Sequence, residues 1–192
     1  MKLLRLKIPA GYERLNQQMV GLFAAQLDDQ LCRLKEDLEG LSTEHLEWQP
    51  RPGMNTIGML LAHLAVVELH WIIVAAHELP LVPDRDVLLR RITGIGMRDD
   101  GLPLKEDGRH AQSLAGKSLD DYWKMMDAAR AEVRRELRTW TDDQLETTYV
   151  LRDEQITRSY TLYHVLEHFA SHYGQILMLK HMMRDAGVLP KK

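Results

Sequence analysis

The sequence contains little that would suggest a secreted or nucleic-acid-binding protein. Its one cysteine, Cys32, cannot form an intramolecular disulfide, which agrees with a reducing compartment. The formal net charge of -3 supplies no general electrostatic attraction to nucleic acids or anionic membranes. The N-terminal apolar stretch is too short for a secretory signal and precedes no small-residue cleavage site. We therefore expect a cytoplasmic protein that binds neither nucleic acid nor membrane.

Aromatic side chains are also scarce, at 6% of the chain, with two phenylalanines against ten methionines. This composition predicts a core of aliphatic and thioether side chains. Hydrophobic residues make up 45% and charged residues 28%, as in ordinary globular proteins, so disorder is not expected. A chain of 192 residues is long enough for one well-buried core, and we expect residues 1-192 to form a single domain.

Four segments predict long helices. In the first and third, apolar residues recur at spacings of three and four, the pattern of an amphipathic helix, whereas the second is apolar on all sides. Polar N-caps and following glycines mark the helix ends. The predicted bounds are about Tyr12 to Glu39, Asn55 or Thr56 to about Glu78, Ser118 to about Trp140, and Ser159 or Thr161 to before Gly187. The sequence therefore predicts an all-α fold.

Three connections join these helices. Residues 41–55 contain two prolines and a glycine and are predicted to be a connection. Residues 79–117 form a long polar connection with a short helix around Asp86 to Ile92. Residues 141–159 can form a small hairpin or an extended arm. Because the second connection is long enough to cross the end of a helix bundle, helices two and three need not be antiparallel neighbours.

The third predicted helix combines a capping signal with a run of charges. Ser118 followed three residues later by Asp121 is typical of a helix N-terminus. Charges of both signs follow from Arg130 to Arg138, and we expect them to form a solvated face.

The second predicted helix is almost entirely apolar but contains His63, Glu68 and His70. An acidic residue in the middle of a membrane span costs about 2.5 to 3.5 kcal/mol, so the segment is better interpreted as the most buried helix of a bundle. His63, His70 and His77 are seven residues apart and lie nearly on one line of the helix, which drifts about 20° per heptad. All three can therefore face the same neighbouring helix.

The fourth predicted helix carries His164, His168 and His172 at spacings of four. Residues four apart lie on the same face of a helix. Two neutral imidazoles that face one apolar volume leave lone pairs unsatisfied, and a bound metal ion would satisfy them. The spacing alone leaves two overlapping pairs open: His164 with His168, or His168 with His172.

Two runs of sequence resemble a known family. WQPRPGMNTIGMLLAHL at residues 48–64 and HVLEHFASHYGQI at residues 164–176 are similar to the signatures of the DinB/YfiT-like superfamily of metal-binding four-helix-bundle proteins. The resemblance implies a four-helix bundle of up-down-down-up topology, with a long crossover between helices two and three. It also implies that His63, His168 and His172 are metal ligands, with Gly174-Gln175 completing the signature.

The third ligand has an alternative. If antiparallel helices two and four had flush ends, His70 rather than His63 would lie level with His168. Seven residues correspond to about 10 Å of helical rise, which staggered helix ends can absorb. We predict His63 as the ligand and keep His70 as the alternative.

The remaining polar residues of these helices have predicted supporting roles. His70 would otherwise line a cavity or support a ligand, and Glu68 would orient an imidazole. The sequence identifies no catalytic residue; besides water, Glu68 and His70 are the candidates for a general base. His164 is expected in the core or beside a ligand. The other histidines are expected at the surface: His77, His110 and His181.

The expected ligand set predicts a function. Three neutral histidines without a protein carboxylate leave coordination positions open, the pattern of a catalytic metal site. The resemblance implies a metal-dependent enzyme, a thiol transferase or a hydrolase, that activates a low-molecular-weight thiol or water at a divalent ion such as Zn, Ni, Fe or Mn. The expected partners are a small-molecule substrate and a second copy of the chain. The alternative is a non-catalytic metal- or ligand-binding stress-response protein.

Overall fold

The computed structural model describes residues 6–77, 84–151 and 153–190. In this part of the chain the fold is mostly helical, with six α-helices and one two-stranded antiparallel sheet. The helices are α1 (Gln18–Leu38), α2 (Thr43–Glu47), α3 (Ile57–His77), α4 (Asp84–Thr93), α5 (Leu119–Leu137) and α6 (Arg158–Asp185). The strands are β1 (Thr148–Leu151) and β2 (Glu154–Thr157). The four predicted long helices correspond to α1, α3, α5 and α6.

Helix α3 is the most buried helix, as its apolar sequence predicts. It packs against both α5 and α6, and side chains on all its sides, among them Leu61, Leu64 and Leu69, are almost fully buried. No helix in the described ranges has the length and hydrophobicity that a membrane crossing requires. The predicted end of this helix at Glu78 and the side chain of His77 lie outside the described residues.

Helix α1 begins later than its periodicity predicts, because a short 3-10 turn at Leu15–Gln17 precedes it. The carboxylate of Asp142 accepts hydrogen bonds from the backbone N–H groups of Met19 and Val20, both at 3.1 Å. This acid from a distant segment caps the helix, and no local pattern reveals such a cap. The predicted apolar stripe is buried at Val20, Leu27, Leu31, Leu34 and Leu38.

The first connection is not irregular throughout, since it contains the short helix α2. Its first turn is closed by the Ser42 backbone N–H, which donates to Nδ1 of His45 at 3.0 Å, and its Leu46 side chain is fully buried. His45 lies in this first turn and is half-buried. Helix α4 begins at Asp84, two residues before the predicted Asp86.

The charge run of α5 is not wholly solvated, which corrects the prediction. Arg130 and Glu136 are buried. The guanidinium of Arg130 donates to both carboxylate oxygens of Glu68 on α3, at 2.5 and 2.8 Å, and to Asp28 of α1 at 3.1 Å. A buried charge is costly unless it is paired, and here Arg130 and Glu68 neutralise each other in the core. The predicted cap of α5 is confirmed, since Ser118 Oγ accepts from the Asp121 N–H at 3.3 Å.

Helices α3 and α5 approach closely at Gly58. A Cβ placed there would lie 2.4 Å from the hydroxyl oxygen of Tyr122, a fully buried side chain of α5. By contrast, a Cβ at Gly174 on α6 would meet no heavy atom within 4 Å. A Cβ at residue 58 would therefore force Tyr122 or the helix to move, whereas packing imposes no such limit at residue 174.

The crossover segment, defined here as residues 94–117, is fastened across the N-terminal end of α3. Gly53 donates its N–H to the carbonyl of Gly108 at 3.0 Å, and Thr56 Oγ1 lies 2.8 Å from Nδ1 of His110. A Cβ at Gly53, where φ is +80°, would lie 2.2 Å from the carbonyl oxygen of Glu106, so only glycine allows this approach. These contacts hold the crossover segment beside His63, the first histidine of α3.

The first part of the crossover segment folds back on α4. Asp86 accepts hydrogen bonds from Arg90 at 2.7 Å and from the Met97 N–H at 2.9 Å. Asp99 accepts from the Gly96 N–H at 2.8 Å and also bonds Arg90. This network fixes the backbone immediately before Asp100.

Of the two forms predicted between the third and fourth long helices, the structure has the hairpin. Strands β1 and β2 pair antiparallel with Thr148 opposite Thr157 and Leu151 opposite Glu154. Thr157 then caps α6, since its Oγ1 accepts from the Tyr160 N–H at 3.1 Å. Helix α6 therefore begins at Arg158, slightly before the predicted start. Its 28 residues span about 42 Å and include His164, His168 and His172.

Candidate metal centre

Three histidine side chains converge between α3 and α6. Nε2 of His168 lies 3.2 Å from Nε2 of His63 and 3.1 Å from Nε2 of His172. The candidate ligand atoms of the three residues all lie within 4.8 Å of one another. Each residue is partly buried, so the cluster lies at the edge of the core rather than at its centre. We call these three residues the histidine cluster.

The packing of the two helices decides which histidine of α3 joins the cluster. His168 and His172 are one turn apart on α6, and His63 meets both, with ring centroids 5.0 and 4.9 Å away. His70 lies two turns further along α3, about 10 Å of rise. The helix ends are thus staggered enough to bring His63, not His70, level with the α6 pair.

A buried carboxylate orients His63. Oδ2 of Asp100 lies 2.8 Å from Nδ1 of His63, and the Asp100 side chain is only 1% exposed. Its second oxygen, Oδ1, accepts a hydrogen bond from the Leu102 N–H at 2.9 Å. A carboxylate oxygen accepts hydrogen bonds, so in the neutral imidazole this contact favours the proton on Nδ1 of His63 and leaves Nε2 a lone pair directed into the cluster.

His172 is held in the same tautomer. Its Nδ1 lies 3.0 Å from Oε1 of Gln175, an acceptor one turn further along α6, which leaves Nε2 unprotonated. Burial lowers the pKa of His172. Burial, together with the neighbouring imidazoles of His172, His63 and His164, lowers the pKa of His168 to about 3. These two rings are therefore neutral near pH 7, the form that binds a metal.

The donor set of the cluster fits a divalent metal ion. Nε2 of both His63 and His172 presents a lone pair to Nε2 of His168. One N–H on His168 can serve only one of them, which leaves a lone pair facing another nitrogen. A cation satisfies all three lone pairs at once. Tetrahedral bonds of 2.0–2.1 Å place ligand nitrogens about 3.3 Å apart, close to the separations found here.

A cavity of about 460 Å³ adjoins the cluster and reaches two of its histidines, His63 and His172. Asn55 and Asp100 add polar groups to its wall. The rest is largely apolar and comes from the crossover segment: Met97, Leu102, Pro103 and Leu104. A cavity of this volume suits a small molecule.

Sequence comparison places the chain in a family. The DinB superfamily profile matches residues 26–176, a range that contains the histidine cluster and its supporting residues. The chain belongs to the DinB superfamily. Its fold is similar to the crystal structure of a DinB-like protein from Bacillus cereus ATCC 10987, with a TM-score of 0.51 and 22% identity over 90% of this chain and 95% of that chain. Among curated proteins, none has a matching sequence.

Glu68 does not orient a histidine of the cluster, which was the role predicted for it. Both of its carboxylate oxygens bond the buried Arg130, so neither orients an imidazole of the cluster. His70 is also outside the cluster. It is buried, and its Nε2 lies 3.5 Å from Nη1 of Arg85 on α4.

His164 lies beside the cluster without joining it. Its ring packs against Trp71, with centroids 4.6 Å apart, and stacks on Tyr160. His181 is exposed as predicted, whereas His110 is half-buried because the crossover segment presses it against Thr56.

The supporting residue that sequence reasoning missed is Asp100. It lies in a glycine-containing irregular segment, where no periodicity assigns a face. The available signal was the acidic pair Asp99-Asp100 within a connection predicted to cross the bundle. That signal is weak, because exposed acidic pairs are common in loops.

Proposed function

We propose that this protein is a metal-dependent enzyme that activates a low-molecular-weight thiol or water for attack on an electrophile, as a thiol transferase or a hydrolase. His63, His168 and His172 would hold one divalent ion. The observation that carries the proposal is the convergence of three Nε2 atoms beside an open cavity. Membership of the DinB superfamily agrees with it.

The chemistry follows from an incomplete coordination shell. When bound by three histidines, a divalent ion keeps an open position and lowers the pKa of a water or thiol beside it. Asp100 and Gln175 keep the imidazoles in the metal-binding tautomer throughout. The apolar wall of the crossover segment excludes water from one side of the cavity, which strengthens electrostatic interactions inside it. Histidine nitrogens suit Zn, Ni, Fe and Mn, so the donor set specifies a divalent ion without selecting one.

The proposal extends to the topology of the helices and to the assembly of the chain. The long helices α1, α3, α5 and α6 would form an up-down-down-up four-helix bundle, with the crossover segment making the long connection. Residues 1-192 would form one cytoplasmic domain that associates as a homodimer. The packing of α3 against α5 and α6 supports the bundle, and the family resemblance is the reason for the dimer.

Activity measurements test the proposal directly. The metal-loaded protein is expected to accelerate the reaction of monobromobimane or chlorodinitrobenzene with glutathione, bacillithiol or mycothiol, or to hydrolyse small ester or amide substrates. His168→Ala and chelator-treated protein should both lack that activity. If metal binds and no thiol or hydrolytic substrate is turned over, the protein is instead a non-catalytic metal- or ligand-binding protein.

A further inference from the structure

A second cavity, of about 300 Å³, adjoins the one at the histidine cluster. The two cavities share Gly53 and Asn55 in their walls. Gln175 lines the second cavity while its Oε1 holds Nδ1 of His172 at 3.0 Å. The second cavity is therefore joined to the cluster both by a common wall and by a supporting hydrogen bond.

Its position follows from the antiparallel packing of α3 and α6. Leu60 lies one turn before His63 on α3, and Gln175 lies one turn after His172 on α6. One helical turn is about 5.4 Å. The second cavity thus begins about one turn from the metal-binding nitrogens, within reach of the other end of a small molecule held at the cluster.

The lining of the second cavity is apolar and deformable. Three methionines and two leucines supply most of it, and none of the described residues that line it is charged: Met54, Met178, Met182, Leu60 and Leu179. Met178 is 60% exposed, so this side of the cavity is accessible to a ligand from solvent. Unbranched thioether side chains adapt to ligands of different shape.

We propose that this methionine cavity is a subsite for the apolar tail of the substrate that reacts at the histidine cluster. The proposal rests on the proposed function and narrows its substrate class. The substrate is a small molecule whose polar or electrophilic group lies at the cluster and whose alkyl or aryl tail lies among the methionines. The two shared wall residues, Gly53 and Asn55, and the contact of Gln175 with His172 are what select this occupant over a separate ligand.

A series of alkyl hydroxamates, from acetohydroxamate to hexanohydroxamate, tests the subsite on zinc-loaded protein. Hydroxamates bind a metal through the head group, so only the tail differs within the series. Burial of one methylene is worth about a fourfold gain in affinity, and the dissociation constant should fall by about that factor per added carbon. A change of less than twofold across the series overturns the proposal.

Nuclear magnetic resonance of protein labelled with 13C in the methionine methyl groups locates the tail. The signals of Met54, Met178 and Met182 should move with hexanohydroxamate and stay in place with acetohydroxamate. The signal of Met19, an exposed methionine on α1, should not move with either. Signals that respond to protein concentration and not to ligand would instead identify a contact between copies and overturn the proposal.

Variants separate the tail from the head group. Met178→Gln should raise the dissociation constant of hexanohydroxamate toward that of acetohydroxamate, leaving acetohydroxamate binding and zinc content unchanged. Met19→Gln is the matched control and should change none of these values. Because Met178 is largely exposed, its substitution leaves the folded core intact, and thermal unfolding of both variants verifies this.

The apolar subsite can be tested separately from the metal site. If the protein holds no metal, 1-hexanol is titrated into the metal-free protein in place of the hydroxamates. Shifts confined to Met54, Met178 and Met182 would support an apolar subsite even without the metal, and no shift would overturn it. Conversely, if metal binds and the dissociation constants of the hydroxamates do not depend on tail length, the subsite proposal is overturned and the proposed function is unaffected.

Discussion

Asp100→Asn is expected to weaken divalent metal binding about 10- to 100-fold, the usual effect of removing a group that orients a metal-ligating histidine. This corresponds to roughly 1.4 to 2.7 kcal/mol. Asp100 uses both oxygens as acceptors, one from His63 Nδ1 at 2.8 Å and one from the Leu102 N–H at 2.9 Å. Asparagine has one acceptor oxygen. It either leaves the Leu102 N–H facing an NH₂ group or donates to His63 and moves the imidazole proton to Nε2.

The first arrangement weakens the backbone contact that holds residue 100, and the second puts a proton on the metal-facing nitrogen of His63. Both Asp100→Asn and Asp100→Ala should therefore bind metal more weakly than the wild type. The dissociation constants are measured by competition with a chromogenic chelator at fixed pH. Asp107→Asn removes the same charge from an exposed position of the crossover segment and should bind metal like the wild type. Dissociation constants within twofold of the wild type for both Asp100 variants would refute the role given to this carboxylate.

Three further outcomes test the packing and the buried charges. Glu68→Ala should destabilise the protein by about 3 to 5 kcal/mol, because it leaves Arg130 charged and only partly compensated in the core. Gly58→Ala should cost about 1 to 3 kcal/mol, since its Cβ would lie 2.4 Å from a buried tyrosine hydroxyl, whereas Gly174→Ala should stabilise α6 by about 0.5 to 1 kcal/mol. Burial lowers the pKa of His110, so the unfolded chain takes up a proton that the folded chain resists, and the free energy of unfolding should fall between pH 7 and 5.

Chemical denaturation of the metal-free protein measures all three. Asp127→Ala breaks an exposed ion pair with Lys35 and should cost about 1 kcal/mol or less, so equal losses for Asp127 and Glu68 would contradict the buried pair. A neutral or stabilising Gly58→Ala would contradict the close approach of α3 and α5. His110→Gln should flatten the pH dependence and the exposed His181→Gln should not; identical slopes would contradict the burial effect.

Local sequence patterns predicted the helices and the hairpin well where the residues that stabilise an element lie within a few positions of it. The Ser118–Asp121 cap and the apolar stripe of the third helix are of this kind. The start of α1 was wrong because Asp142 caps it from 122 residues away in sequence. The α2 helix was missed because the prolines and glycine that follow it dominated the interpretation of residues 41–55.

In the candidate site, too, local patterns predicted some residues and not others. The α6 pair follows from helical spacing, but the choice between His63 and His70 depends on how far two helices are staggered. Spacing within one helix cannot supply that offset, and the family resemblance was needed to prefer His63. Asp100 reaches the cluster only because the crossover segment is fastened to α3 and α4, contacts that no periodic pattern encodes.

Metal stoichiometry is the most direct test of the central claim that three histidines form a metal site. Purified wild-type protein, stripped of metal and equilibrated with Zn, Ni, Fe or Mn, should retain about one divalent ion per chain after gel filtration. His168→Ala removes the nitrogen that lies between the other two and should retain almost none. Equal, near-zero metal in both proteins would contradict the account, because the cluster would then be three core histidines without an ion.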